Sequence, residues 1–351
     1  MPKPDTKSQR DSARLGEFDA QPRTRLVFGV NSVERVGQLA RELEARKVLL
    51  VTDAGIVAAG HAQRVHRLLE AAGLRVTLFP ETKENPTTRC VDNCLAVARA
   101  AGIDTIVGLG GGSSMDTAKG CNVLLTNGGR IQDYWGVGKA AKPMLPMIAI
   151  PTTAGTGSEC QSAALIAEEN THNKMAILDP KAAARIAILD PALTVSQPPA
   201  VTAHTGIDAI SHAVETAVTT KRNSLSMMYS REAFKLLVPS LPQALANPTD
   251  LTARGRMLLG AAFAGIAIEN SMLGAAHAAA NPLTAHYGIV HGEAVGIMLP
   301  LVVRFNAAAP AALQSYAELA AAPEIAFTTN GLRAALEALI SRLNSLLNTA
   351  A

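Results

Sequence analysis

From Arg25 onward the chain alternates short, wholly apolar runs with longer stretches in which apolar residues recur every three or four positions. Arg25-Leu-Val-Phe-Gly-Val30 reads as an opening strand, and Ser32 to Ala45 sets Val33, Val36, Leu39, Ala40 and Leu43 at helical spacing. Lys47-Val-Leu-Leu-Val-Thr52 follows as a continuous apolar strand ending at Asp53. A strand without polar alternation is buried on both faces, as in parallel sheets. The pattern continues with a helix near His61 to Ala72, a strand at Leu74 to Phe79, a helix near Thr88 to Ala101, and strands at Asp104 to Leu109 and Met147 to Ile150. Strands and helices taking turns over short connections predict a right-handed, doubly wound α/β domain with its ligand site at the carboxyl ends of the strands.

Near Ile186 to Pro191 the texture changes to long Ala/Leu-rich helical stretches, with Gln197-Pro198-Pro199 as a turn marker. The expected organisation is a disordered leader over residues 1–24, an α/β domain over 25–192 and an all-helical domain over 193–351. In the second half, Gly206 to His212 opens a helix on which Asp208 and His212, four apart, share a face. The apolar segment Met257 to Ala280 carries His277, and Asn281-Pro282 is expected to stop that helix because proline cannot continue it. His291-Gly292 then opens another segment running to Leu299-Pro300. If the chain folds back between them, one carboxylate and three imidazoles converge on a divalent cation, with a position left for a substrate oxygen. His204 and His286 have no partner at suitable spacing and are read as structural or as supporting the ligands.

Two loops in the first half suggest a dinucleotide. Gly108-Leu-Gly-Gly-Gly-Ser-Ser-Met-Asp-Thr-Ala-Lys119 places Gly110, Gly111 and Gly112 after a strand, with a helix beginning near Ser113. Glycines allow close backbone approach, and the free N–H groups of a helix start attract phosphate. The spacing departs from G-x-G-x-x-G because Ser113 stands at the third glycine position, and a plain turn with Ser113 as N-cap is the competing reading. Pro151 to Glu159 is dense in hydroxyls, and Thr152, Thr153, Thr156 and Ser158 could hold phosphate, ribose or carboxamide, although such clusters are also ordinary loop chemistry. Asp53, at a strand end, suits a ribose hydroxyl and repels a 2′-phosphate, favouring NAD over NADP; it is equally a helix N-cap. Lys174 could reach the cofactor or substrate from the interdomain edge.

Composition narrows the class. A chain of 351 residues, 48% hydrophobic, can bury the cores of two domains. The net charge of +3 forms no basic stripe and 3% aromatics leaves few platforms for bases, so nucleic acid is not an expected partner. Cys90, Cys94, Cys121 and Cys160 include no C-x-x-C pair and are expected as buried thiols in a reducing compartment. The first residues lack the apolar core of a signal peptide, and the longest apolar run, Met257 to Ile268, is too short to span a bilayer. A cytoplasmic protein without a membrane partner is the expectation.

These motifs, in this order, resemble the iron-containing (group III) alcohol dehydrogenases. The resemblance runs from Phe28-Gly29 through Val51-Thr52-Asp53, Asn85-Pro86-Thr87, Gly110 to Ser113 with Asp116 and Lys119, Pro151 to Glu159, Gly206 to Glu215 and His277 to Pro300. It implies a Rossmann-like NAD-binding domain and an all-α metal domain, the dehydroquinate synthase-like architecture, in a homodimer that passes hydride between NAD(H) and a small primary alcohol or aldehyde. It implies Fe²⁺, alternatively Zn²⁺, on Asp208, His212, His277 and His291. It places Asn85, Gly111, Gly112, Ser113, Asp116, Thr152, Thr153, Ser158 and Lys174 in or near the cofactor site. Where many members carry a second histidine near the nicotinamide, this chain has Asn281, which cannot relay a proton as His can, so a changed pH profile is expected. The chain also stops at Ala351, sooner than such enzymes usually do. The alternatives are a dehydroquinate synthase-like lyase and a truncated, non-catalytic homologue.

Overall fold

The computed structural model describes residues 18–171, 173–323, 325 and 331–350, so most of the expected leader lies outside the described residues. Strand and helix alternate through β1 (Arg25–Phe28), α1 (Val36–Glu42), β2 (Lys47–Asp53), α2 (Ala54–Ala58), α3 (His61–Ala71), β3 (Arg75–Thr82), α4 (Thr88–Ala101), β4 (Thr105–Gly110) and α5 (Gly112–Asn127). Five strands follow: β5 (Gly136–Val137), β6 (Met147–Pro151), β7 (Ala163–Ala167), β8 (Lys174–Leu178) and β9 (Ile186–Leu189). Six of the nine form one sheet in the order β1-β9-β6-β4-β2-β3, and every neighbouring pair is parallel.

The continuous apolar runs are explained by helices on both faces. Along β2, Leu49 and Val51 pack with Val91 and Cys94 of α4 and Met115 of α5, whereas Val48 and Leu50 pack with Leu39 of α1 and Val65 of α3. Period-two alternation thus divides one strand between two cores. All four cysteines are free and buried. A second sheet, β5-β8-β7, was not expected from the sequence; its strands are short, and β7 lies antiparallel to β8.

The remaining chain is helical: α6 (Pro199–Thr216), α7 (Ser224–Ala246), α8 (Leu251–Ser271), α9 (Ala275–Tyr287), α10 (His291–Asn306), α11 (Pro310–Ala321) and α12 (Leu332–Ala350). Helix α6 runs through their midst, its Ile207, Ile210 and Val214 sharing a core with Phe234, Leu237, Leu258, Val295 and Leu339. Helix α8 is 21 residues long, with a mean hydropathy of 1.3 in its most apolar stretch, enough by length and composition to cross a membrane; 67% of that stretch is buried inside the protein.

Two expected helix ends are displaced, and one expected helix is broken in two. The segment from Met257 does not run on to Ala280: α8 ends at Ser271, where Met272 takes φ 63°, and α9 begins after Gly274. Pro282 lies inside α9 and Pro300 inside α10, rather than ending them. Proline removes one backbone donor and bends a helix, yet a helix can pass through it where the turns on either side keep their own bonds.

Candidate metal centre and cofactor crevice

Helix α6 opens with Pro199 at its first turn, where a missing N–H costs nothing. Asp208, His212 and Glu215 stand at i, i+4 and i+7, one stripe facing inward, and all three are buried. His277 lies in the first turn of α9 and His291 is the first residue of α10. Close packing brings α10 in: a Cβ on Gly292 would lie 2.1 Å from the His204 carbonyl oxygen, so only glycine permits this approach to α6.

Three imidazole Nε2 atoms converge on one carboxylate oxygen. Asp208 Oδ1 is 3.3 Å from His212 Nε2, 3.2 Å from His277 Nε2 and 3.8 Å from His291 Nε2. The His212 and His277 rings stack at 4.7 Å, and His277 and His291 meet at 5.4 Å and 60°. Donor atoms of Asp208, His277 and His291 all lie within 4.8 Å of one another; His212 reaches Asp208 but falls outside that trio. His204 and His286 are not among these groups.

Electrostatics agrees with the donor chemistry. Burial would raise the Asp208 carboxyl, but His212, His277 and His291 outweigh it and hold it well below the usual carboxylate range. Burial brings His212 down to about 4 despite Asp208, leaving the neutral imidazole that a metal requires. Burial opposes charge on His277 too, yet hydrogen bonds to Asp208 and Glu215 carry it to about 9. Two carboxylates that favour a proton on this ring also favour a cation at its Nε2. One buried carboxylate oxygen and several imidazole nitrogens make a fitting donor set for Fe²⁺ or Zn²⁺.

The second cluster lies where the sheet reverses direction. From β2 the chain goes to β3 on one side and returns to β4 on the other, so the carboxyl ends of β2 and β4 border a topological switch point. Asp53 ends β2 and caps α2 through Ile56 N (3.0 Å), while Ser114 Oγ donates to its other oxygen at 3.3 Å. Gly110 takes φ 142°, Gly111 caps α5 without a side-chain bond, and the helix begins at Gly112. Ser113 is therefore not the N-cap; its Oγ accepts Asn85 N at 3.3 Å, and Asn85 itself takes φ 50°.

The hydroxyl-rich loop packs against these glycines. Thr152 N donates to Gly110 O at 3.0 Å, and a Cβ on Gly111 would meet Thr153 at 3.4 Å and one on Gly112 would meet Thr156 at 2.9 Å. Ser158 Oγ donates to half-buried Asp116 at 3.1 Å. Lys174 donates to Asn85 Oδ1 at 3.3 Å, and its charge reaches both Asp116 and His291, which sets the crevice beside the metal centre. Asn281 lies exposed on α9, one turn beyond His277.

Residues 22–191 match the family described as iron-containing alcohol dehydrogenase, and residues 202–350 match the C-terminal family of the Fe-containing alcohol dehydrogenases. The chain belongs to the iron-containing alcohol dehydrogenase family. Among its members, the NAD-dependent methanol dehydrogenase of Bacillus methanolicus is 38% identical over 280 residues, 80% of this chain and 74% of that protein. The solved structure of a 1,3-propanediol oxidoreductase superposes with a TM-score of 0.92 at 32% identity, covering 95% of this chain and 87% of that one. Sulfoacetaldehyde reductase from Bifidobacterium kashiwanohense, solved in complex with NAD⁺, superposes with a TM-score of 0.86 at 29% identity, over 95% and 86% of the two chains.

Within this family fold, two buried groups escape a reading of the sequence for site residues. Glu215 touches His277, and its only signal is the continuation of the Asp208/His212 stripe by another turn. Lys119 sits in the glycine motif but gives no sign of its task. Its Nζ donates to Ser158 O (2.7 Å), Ser158 Oγ (2.9 Å), Gln161 O (2.8 Å) and Ala163 O (2.8 Å), tying α5 to the loop.

Proposed function

We propose that this protein is an NAD- and metal-dependent alcohol dehydrogenase that passes hydride reversibly between the nicotinamide and a small primary alcohol or aldehyde. The observation that carries the proposal is the convergence of three Nε2 atoms on Asp208 Oδ1 beside a glycine-lined switch point. A divalent ion on Asp208, His212, His277 and His291 would supply Lewis acidity toward the substrate oxygen, and NAD the hydride acceptor. The NAD-dependent relative and the NAD⁺-bound neighbour support the choice of dinucleotide.

On this reading each chain segment has a task. The uncapped first turn of α5 offers N–H groups to phosphate. Asp53 presents its carboxylate to the ribose while still capping α2, which disfavours a 2′-phosphate. Asn85, Thr152, Thr153, Thr156, Ser158 and Lys174 line the approach to the nicotinamide, and Asn281 leaves proton release to water or a ribose hydroxyl. The α/β half over 25–192 would hold the cofactor and the helical half over 193–351 the metal, in a cytoplasmic homodimer.

Anaerobically purified protein loaded with Fe²⁺ or Zn²⁺ should oxidise NADH with short aldehydes, lose that activity to a chelator, and lose at least about 100-fold in kcat/KM on His277→Ala. Metal-replete protein that turns over no aldehyde in a panel from formaldehyde upward would overturn the proposal.

A further inference from the structure

Glu215 is buried in the helical half and its carboxylate is divided between two donors. Oε1 accepts the Ala276 backbone N–H at 2.6 Å, and Oε2 bonds His277 Nδ1. Ala276 belongs to the first turn of α9, whose cap residue Gly274 provides no side-chain acceptor. A carboxylate from α6 therefore serves as the cap of α9, where the helix dipole favours negative charge. Gly274 leaves room for it: a Cβ there would lie 2.9 Å from Glu215 Oε1.

The same carboxylate fixes the neighbouring ring. A carboxylate oxygen only accepts, so Glu215 holds a hydrogen on His277 Nδ1, and a cation bound at Nε2 would replace only the hydrogen that faces Asp208 Oδ1 at 3.2 Å. The other two imidazoles lack this support, because His212 Nδ1 and His291 Nδ1 are buried without hydrogen-bond partners. His277 is thus the one ring of the three whose orientation is set from behind among the described residues.

We propose that Glu215 is the positioning residue of the metal centre, holding His277 in the metal-binding tautomer and fixing the start of α9 through one carboxylate. This assignment rests on the metal-centre reading above. Glutamine is nearly isosteric but has one acceptor oxygen. It can satisfy Ala276 N–H or His277 Nδ1–H but not both, and an amide N–H facing Nδ1 would drive the hydrogen to Nε2. Supporting groups behind a metal-ligating histidine are worth about 10- to 100-fold in metal affinity.

The test compares zinc-loaded wild type, Glu215→Gln and Gly274→Ala, the last of which presses on the carboxylate without changing its charge. Zinc transfer to a chromogenic chelator gives the affinity and release rate, and ¹⁵N shifts of His277 report which ring nitrogen carries hydrogen. Glu215→Gln should bind zinc about 10- to 100-fold more weakly, and Gly274→Ala should shift in the same direction. A role confined to capping α9 would lower the melting temperature without moving the zinc affinity of folded protein or the His277 shifts, and that result overturns the assignment. Wild type that takes up no zinc would instead overturn the metal-centre reading, and this assignment with it.

Discussion

Glu159 closes the hydroxyl-rich loop, buried, with Oε1 lacking a hydrogen-bond partner. Burial raises its carboxyl from 4.5 to about 7, against the pull of its own backbone N–H and of Lys119. The unfolded chain loses this proton near pH 4.5 and the folded chain near pH 7, so between them the folded state binds more protons. Stability therefore falls as pH rises through this window and levels off above it. The shift corresponds to a penalty on the order of 3 kcal/mol on the alkaline side. Glu159→Gln removes the titrating group while Lys119 keeps its four oxygen acceptors. Denaturant melts from pH 4 to 9 should show the variant more stable than wild type above pH 7 and closest to it at pH 4. Parallel pH profiles for the two proteins would show that Glu159 is not held protonated. Nothing in the sequence marks this residue, since a glutamate in a Ser/Thr/Gly loop reads as solvated until the packing of α8 against that loop is known.

At the scale of elements, α10 brings His291 to Asp208 because Gly292 lies against the backbone of α6. A Cβ there, 2.1 Å from a carbonyl oxygen, cannot be absorbed by a side-chain rotation, so the helix start must move. Gly292→Ala should destabilise by about 1–3 kcal/mol, the usual range for overpacking, and should lower bound metal because His291 moves with the helix. Denaturation and elemental analysis check both, and a variant with wild-type metal content would mean that α10 can tilt without carrying His291 away. Element-level features differ in how well they show in sequence. Strand β2 is legible because Val48 to Val51 are apolar without interruption, which only helices on both faces explain. The spacing of Asp208 and His212 is legible because both lie on one helix. The break at Met272 and the passage of α9 through Pro282 are not, because both depend on what packs around them. Glu215 eludes the sequence for a similar reason: its partners are 61 and 62 residues away.

The two halves of the molecule meet through the loop that follows β6. Gly155 lies against Thr205 of α6, and a Cβ on Gly265 of α8 would stand 2.4 Å from the Gly157 carbonyl oxygen, so loop and helix touch backbone to backbone. On its other side the loop is held by Lys119, 0% exposed, which reaches from α5 to four oxygens. One buried ammonium thereby ties the helix that follows the glycine turn to a loop that itself rests on α6, which carries Asp208 and His212, and on α8. Burial lowers the lysine and Asp116 opposes, while burial raises Asp116 and Lys119 opposes, so each offsets the other's desolvation. Lys119→Met would leave those oxygens without their donor, a loss of at least about 1–3 kcal/mol for buried acceptors left unsatisfied. The site-level effect should be selective, because the proposed metal ligands lie on α6, α9 and α10 and not on the loop. Folded Lys119→Met protein, measured by equilibrium titration, should bind NADH at least about 10-fold more weakly while holding its metal as wild type does. Equal loss of both would mean that the loop transmits its disorder into the helical half, and unchanged NADH affinity would mean that the glycine turn holds the dinucleotide without the loop.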